Sequence, residues 1–363
     1  MRTIKKIYEK ISSIENVTAA IKKASAGKRS RVEVKKVLAD VPGHACIISE
    51  MLQKHEYRPC RYVEKTIKEG ANSKERKIAK IAFFPDQIVH WAIILQLQPF
   101  LIRSSYKYSC GCMPGRGVHY GKAAIEKWIR SDRKNTKYIA KLDIRKFYPS
   151  INHEKMKAVF RLMTSDKRLL SALDAIVESY SPGLPIGYLT SQWFSNVLLQ
   201  RLDYLIKQTM QVKYYVRYMD DMVLFGANKK RLHTAIRRVS AYLSGIDLSL
   251  KKNWQVFPLE SRPLDFMGFR FYRNKTTLRK SLMLRITRTA VKISKTNRPK
   301  PEQAASMLSY MGWVRRSQSH NVYESRISPV VSIAGMKKIV STASKIRSRE
   351  HENSKGQQRI SPV

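Results

Sequence analysis

The chain has 363 residues, enough for two or three domains, with 43% hydrophobic and 9% aromatic residues to furnish their cores. Its 70 Lys and Arg stand against 27 Asp and Glu, and the resulting net charge of +43 far exceeds what solubility requires. That balance points to a polyanion, nucleic acid before an anionic membrane surface, bound with a steep dependence on salt.

The N-terminus, MRTIKKIYEKISSIENVTAAIKK, is basic and lacks the continuous apolar core of a secretion signal. Ile4, Tyr8, Ile11, Val17 and Ile21 are spaced as in short amphipathic helices. The most apolar stretch, HWAIILQLQPFLI at 90–102, is too short to span a bilayer and is interrupted by Gln and Pro. No membrane association and a cytoplasmic location are expected. Cys46, Cys60, Cys110 and Cys112 do not form a disulfide framework in a chain of this length. Cys110-Gly-Cys112 lacks the spacer and the second ligand pair of a zinc site.

Residues 1–135 read as helix-rich and basic, with turn-like breaks at EGANSKER and CGCMPGRG. KYIAKLDI then reads as a buried strand and NHEKMKAVFRLM as a helix. SPGLPIGYLTS is a Gly/Pro loop feeding the helix QWFSNVLLQRLDYLIKQ, whose Phe194, Val197, Leu198, Leu202 and Leu205 share one face. Thr190 or Ser191 is placed to cap that helix. VKYYVRY and MVLFG are two strands joined by a tight turn, and KKRLHTAIRRVSAYLSG is a helix ending at Gly245. LSLKKNWQVF and LDFMGFRFYR supply further strands, so the order gives an antiparallel α+β sheet with helices on one face. From about residue 276 the chain reads as helical and basic, and 346–363 as a mobile basic tail.

The turn in VRYMDDMVLFG holds two adjacent carboxylates, Asp220 and Asp221, between apolar flanks. Such a pair resists joint ionisation unless a cation stands beside it. Asp143 closes the strand KYIAKLDI, and if the two strands are neighbours three carboxylates meet at one sheet end. That cluster suits two magnesium ions, which take carboxylate and phosphate oxygens and can clamp the two ends of a phosphoryl transfer. The plainer reading is a helix cap at Asp143 and a solvated hairpin at Asp220 and Asp221.

These segments together resemble the reverse transcriptases. YMDD (218–221) resembles that family's catalytic hairpin, LDIRKFYPSI (142–151) the segment of its first metal-binding aspartate, LPIGYLTSQ (184–192) its template- and nucleotide-facing loop, and LDFMGFRF (264–271) its primer grip. The resemblance covers roughly residues 60–275 and implies a right-hand fold: fingers at 1–135, palm at 136–275, a helical thumb at 276–345 and the tail beyond. It implies an RNA-directed DNA polymerase acting on template RNA, an RNA–DNA duplex and dNTPs. Asp143, Asp220 and Asp221 would hold the two Mg2+, with the Ile144 carbonyl as a further ligand. Tyr148 matches the steric gate against ribose. Lys77 matches the finger cation that meets the triphosphate, with Arg76 and Lys80 close enough to compete. Ile186, Gly187 and Gln192 would face the nucleotide, and Met267 and Gly268 the primer. Lys251 or Lys252 is placed, slightly early, for the acid that protonates pyrophosphate. CMPGRGVHYG misses dinucleotide spacing and resembles the finger-to-palm loop, where Arg116 would touch template or nucleotide.

Ile186 and Gln192, in an Ile-Gly-three residues-Ser-Gln pattern, look like the enzymes of diversity-generating retroelements, which copy RNA with errors at template adenines. That likeness implies a structured template RNA and an accessory protein that helps engage it. Retron enzymes typically show Asn-Ala-x-x-His and Val-Thr-Gly segments, absent here. Phage-defence reverse transcriptases are the alternative, and a non-catalytic RNA-binding scaffold stands as a reading from another class.

Overall fold

Helices α1 (Tyr8–Ser12), α2 (Ile14–Ser25), α3 (Val32–Ala39) and α4 (Val41–Gln53) open the chain, as the short amphipathic spacing predicts. Ser13 caps α2 by accepting from the Asn16 amide, and Asp40 caps α4 by accepting from that of Gly43. The apolar 90–102 stretch lies in α5 (Ile88–Ser104), a core helix packed against α2. Its polar Gln96 donates to Asn16 Oδ1 at 2.7 Å, so the residue that breaks the apolar run is satisfied inside the protein. Among the described residues no helix is long and apolar enough to cross a membrane.

The computed structural model describes residues 4–69 and 74–357, and they fall into two units. The first holds the chain as far as Ala124 together with Asp132–Pro258, and the second holds Ile125–Ser131 and the chain from Leu259. The boundary between these units lies at Pro258–Leu259. In the N-terminal region the helix-rich reading missed a hairpin. β1 (Val63–Glu69) pairs antiparallel with β2 (Lys74–Lys80). Its charged residues sit on both faces, so the period-2 alternation that announces a strand is absent.

After α6 (Val118–Ser131), the first unit builds its central sheet. β3 (Tyr138–Asp143), β4 (Tyr214–Tyr218), β5 (Asp221–Gly226) and β6 (Gln255–Pro258) form an antiparallel sheet in the order β4-β5-β3-β6. Met222, Val223, Leu224 and Phe225 of the inner strand β5 are no more than 2% exposed, which explains the unbroken apolar run MVLF. Each contributes about 1.5–3 kcal/mol by leaving water. Of LSLKKNWQVF only the last part is strand, because Leu250 makes an isolated bridge to Ile144 before β6 begins.

Five α-helices lie between β3 and β4: α7 (Phe147–Ser150), α8 (His153–Met163), α9 (Lys167–Glu178), α10 (Leu189–Leu198) and α11 (Gln200–Tyr204). α10 starts two residues earlier than the capping expectation. Its N-cap is Tyr188, so Thr190 and Ser191 are buried inside the helix and not at its end. α12 (Lys229–Gly245) packs on β3, β5 and β6 through Leu232, Ala235, Ile236, Val239 and Leu243, and Asn228 caps it by accepting from Lys230 and Arg231 amides.

In the second unit β7 (Leu264–Phe266), β8 (Phe269–Phe271) and β9 (Thr276–Leu278) make a three-stranded sheet. β9 lies in a stretch whose composition reads as wholly helical. α13 (Lys280–Ser294), α14 (Pro301–Arg315), α15 (His320–Arg326) and α16 (Ile333–Gln357) come next. α16 carries helix into the segment expected to be a tail, and residues 358–363 lie outside the described residues.

Candidate active site

The register of the central sheet decides whether the carboxylates meet. Asp143, the last residue of β3, pairs directly with Asp221, the first of β5. Directly opposed residues in an antiparallel pair project to the same face, so these two side chains are neighbours. Tyr218 pairs with Asp221 across the β4–β5 hairpin, which leaves Met219 and Asp220 as a two-residue turn. The three aspartates of the sequence are thus gathered at one sheet end.

Met219 holds that turn with φ +56°, a conformation that is uncommon for residues other than glycine and costs energy unless its surroundings fix it. The fixing residue is Arg217, 1% exposed on β4. Its guanidinium meets Asp203, 2% exposed, through Nε–Oδ1 at 2.8 Å and Nη2–Oδ2 at 2.6 Å. Its Nη1 donates to the Met219 carbonyl at 3.0 Å and to Asn196 Oδ1 at 2.9 Å. Asn196 Nδ2 in turn donates to the Gly111 and Gln192 carbonyls at 2.9 and 3.1 Å. Sequence reasoning passed over Arg217, Asp203, Asn196 and Gly111. The available signal was an arginine inside an otherwise apolar strand, YYVRY, which requires a buried partner.

Gly111 lets this packing close. A Cβ there would come within 2.9 Å of the Met219 amide nitrogen and nearer still to its side chain. Gly111→Ala is therefore expected to displace the turn and to cost about 1–3 kcal/mol of stability, the scale of an overpacked contact. Urea unfolding checks this, with circular dichroism to show that the fold persists.

Electrostatics follow from the geometry. Burial, then the charges of Asp221 and Asp143, push the Asp220 carboxyl up to about 6. Lys251 Nζ forms an ion pair with Asp143 Oδ2, while Asp143 Oδ1 is buried with no hydrogen-bond partner. Among the described residues, no three His, Cys, Asp or Glu side chains stand as a ready-made metal cage. Even so, an orphaned carboxylate oxygen, a second carboxyl resisting ionisation and a wholly oxygen donor set fit a hard divalent cation.

A model of the reverse transcriptase (RNA-dependent DNA polymerase) family matches residues 67–271. The chain belongs to the reverse transcriptase family. It is similar to the retron Ec73 reverse transcriptase of Escherichia coli, 27% identical over 141 residues, a match that takes in 34% of this chain and 44% of that protein. The chain thus spans less than half the length of this curated relative. Among solved structures it is similar to the apo telomerase of Candida tropicalis truncated from its C-terminal domain, with 11% identity and a TM-score of 0.46 over 63% of this chain and 58% of that one.

Within the reverse transcriptase match, the other site residues expected from the sequence have these surroundings. Tyr148, on α7, is pushed up to about 12 by burial, with Cys112, Asp220 and Tyr218 adding to the rise. The Leu184 amide donates to the Tyr148 carbonyl at 2.9 Å, seating the Gly/Pro loop on α7. The Ala79 amide of β2 donates to Ile186 O at 2.9 Å, so that loop also ties to the hairpin. Gly187, at φ +120°, is required there, since a Cβ would meet Ala79 O at 2.5 Å. Gln192 is exposed on the first turn of α10. Ile144 is fully buried beside Asp143.

The cations divide differently. Lys77 pairs with Glu64 at 3.3 Å and Lys80 stands 3.9 Å from Glu33, while Arg76 lies opposite Ile67 in the hairpin. Arg116 turns its Nη1 to the Tyr106 carbonyl at 3.4 Å. Lys251 pairs with Asp143, and Lys252 beside it is exposed. Met267 and Gly268, at φ +50° and +83°, form the β7–β8 turn in the second unit.

Proposed function

We propose that this chain extends a primer along template RNA as an RNA-directed DNA polymerase. The central sheet serves as palm, β1–β2 with the N-terminal helices as fingers, and the C-terminal helices as thumb. One observation carries the reading: Asp143 stands opposite Asp221 beside the Met219–Asp220 turn, inside the stretch that matches the family.

Asp143, Asp220 and Asp221, with the Ile144 carbonyl, would hold two Mg2+, which when bound neutralise charge developing on the transferred phosphate. The chain's own groups supply the rest. Tyr148 crowds the sugar and favours deoxynucleotides. Lys77 and Lys80, once they leave Glu64 and Glu33, offset triphosphate charge, as does Arg76. Lys251 or Lys252 donates a proton to pyrophosphate. α13 buries Ile286, Ala290 and Ile293 and leaves Arg285 and Arg288 exposed, as a helix tracking duplex phosphates does. Primer extension by the purified protein with RNA template, Mg2+ and dNTPs tests this against an Asp220→Ala control. No extension above the control would leave the scaffold reading standing.

The finer reading is an error-prone enzyme of a diversity-generating retroelement, working on a structured RNA with an accessory protein. It rests on Ile186 and Gln192. An isoleucine supplies apolar contact where a glutamine would hydrogen-bond near the nascent pair, and a lost restraint of ~1 kcal/mol relaxes discrimination about fivefold. Ile186→Gln is expected to restore accuracy opposite template adenine by about that factor. Sequencing cDNA from both proteins decides it, and unchanged error spectra would sink this mechanism. The second reading is a defence-associated reverse transcriptase, for which faithful or untemplated repetitive cDNA is expected.

A further inference from the structure

We propose that Lys251 is a tethered cation that competes with divalent metal for Asp143 and so sets how readily the site loads. The inference rests on the proposed function, in which Asp143, Asp220 and Asp221 hold metal.

Lys251 does not meet Asp143 by the chance fold of a long side chain. Its amide donates to the Asp143 carbonyl at 2.8 Å, the Arg145 amide donates to Ser249 O at 2.8 Å, and Ile144 bridges antiparallel to Leu250. This short ladder extends the β3 edge beyond its last residue and fixes Lys251 across from Asp143. The ammonium pairs with Oδ2, and Oδ1 is left buried with no partner. One carboxylate oxygen is thus taken by a resident charge and the other is oriented for a second one.

The charge balance gives the pairing its consequence. Three clustered carboxylates pull strongly on any cation, and a lysine within contact distance cancels part of that pull. Lys251 is 39% exposed and Asp143 27%, so the ammonium can withdraw into solvent on its four-carbon stem without opening the core. Its pairing is that of an exchangeable counter-ion, in contrast to the Arg217–Asp203 pair, which is sealed from water.

Mn2+ titration followed by electron paramagnetic resonance tests this directly, without reference to polymerisation. Lys251→Met, which removes the charge and keeps the stem, is expected to bind Mn2+ about tenfold tighter, the scale of one neighbouring charge partly screened by solvent. Lys251→Arg keeps the charge and should bind as the unaltered protein does. Adding Asp143→Asn to Lys251→Met should abolish the gain. Circular dichroism confirms the fold, and Lys251→Gln replaces Lys251→Met if the latter does not fold. Equal or weaker binding by the folded Lys251→Met protein overturns the inference while leaving the metal site in place, provided Asp143→Asn alone still weakens binding. If neither the unaltered protein nor any variant binds Mn2+, both the inference and the metal reading beneath it fall.

Discussion

Asp220→Asn is expected to silence nucleotide addition and, at the same time, to make the metal-free protein more stable at neutral pH. The first effect follows from removing one oxygen ligand where charge develops, at a cost on the order of 10²–10³-fold or more in rate. The second follows from Asp220 being pushed up to about 6 by burial and by Asp221 and Asp143. An aspartate in the unfolded chain titrates near ~3.9. Between those two values the folded protein keeps a proton that the unfolded chain has lost. Stability therefore falls as pH rises from about 4 to about 6, and the full loss persists above. Its size is about 2 kcal/mol after allowance for solvent screening. Urea unfolding in EDTA at pH 4.5 and pH 7.5 checks this. The unaltered protein should lose stability between the two conditions and the Asn variant should lose much less. Matching pH dependence in both would mean that Asp220 does not share a charge cluster with Asp143 and Asp221.

Arg217→Met is expected to be the most damaging single change outside the aspartates, at about 3–5 kcal/mol of stability. It leaves the Asp203 carboxylate charged, unpaired and 2% exposed in the core. Replacing both partners, Arg217→Met with Asp203→Leu, should recover much of that loss, because the cost lies in the stranded charge and not in the absence of a pair. Recovery will stop short of complete, since the Tyr215 hydroxyl donates to Asp203 Oδ1 at 2.8 Å and would lose its acceptor. Activity should not return with stability. The Met219 carbonyl and Asn196 Oδ1 would still lack the Nη1 donor that holds the turn at positive φ. Urea titration of the single and double variants, paired with primer extension, separates the two effects. A double variant as active as the unaltered protein would show that Arg217 serves the core alone.

The places where expectation and structure part share a cause. The β1–β2 hairpin carries charge on both faces, so no apolar period marked it, and its pairing is a property of two segments together. Thr190 is a good cap residue by type, yet it is buried beside His90, to which its hydroxyl lies at 3.3 Å, because the core reaches one turn further than the loop composition suggests. β9 is three residues long, too short for any period to show.

What the sequence by itself determined is the chemistry in outline: a basic chain, a strand closed by Asp143, a tight turn holding Asp220 and Asp221, and helices at their 3.6-residue period. Those are local properties, set by propensity, patterning and turn residues. Only the tertiary structure decided that β3 lies beside β5 in a register that opposes Asp143 to Asp221. It alone revealed that a buried arginine braces the turn and that a lysine sits on the first aspartate. Each of these depends on groups distant in the chain being brought to within a few ångströms, where burial removes the screening water and makes their charges felt.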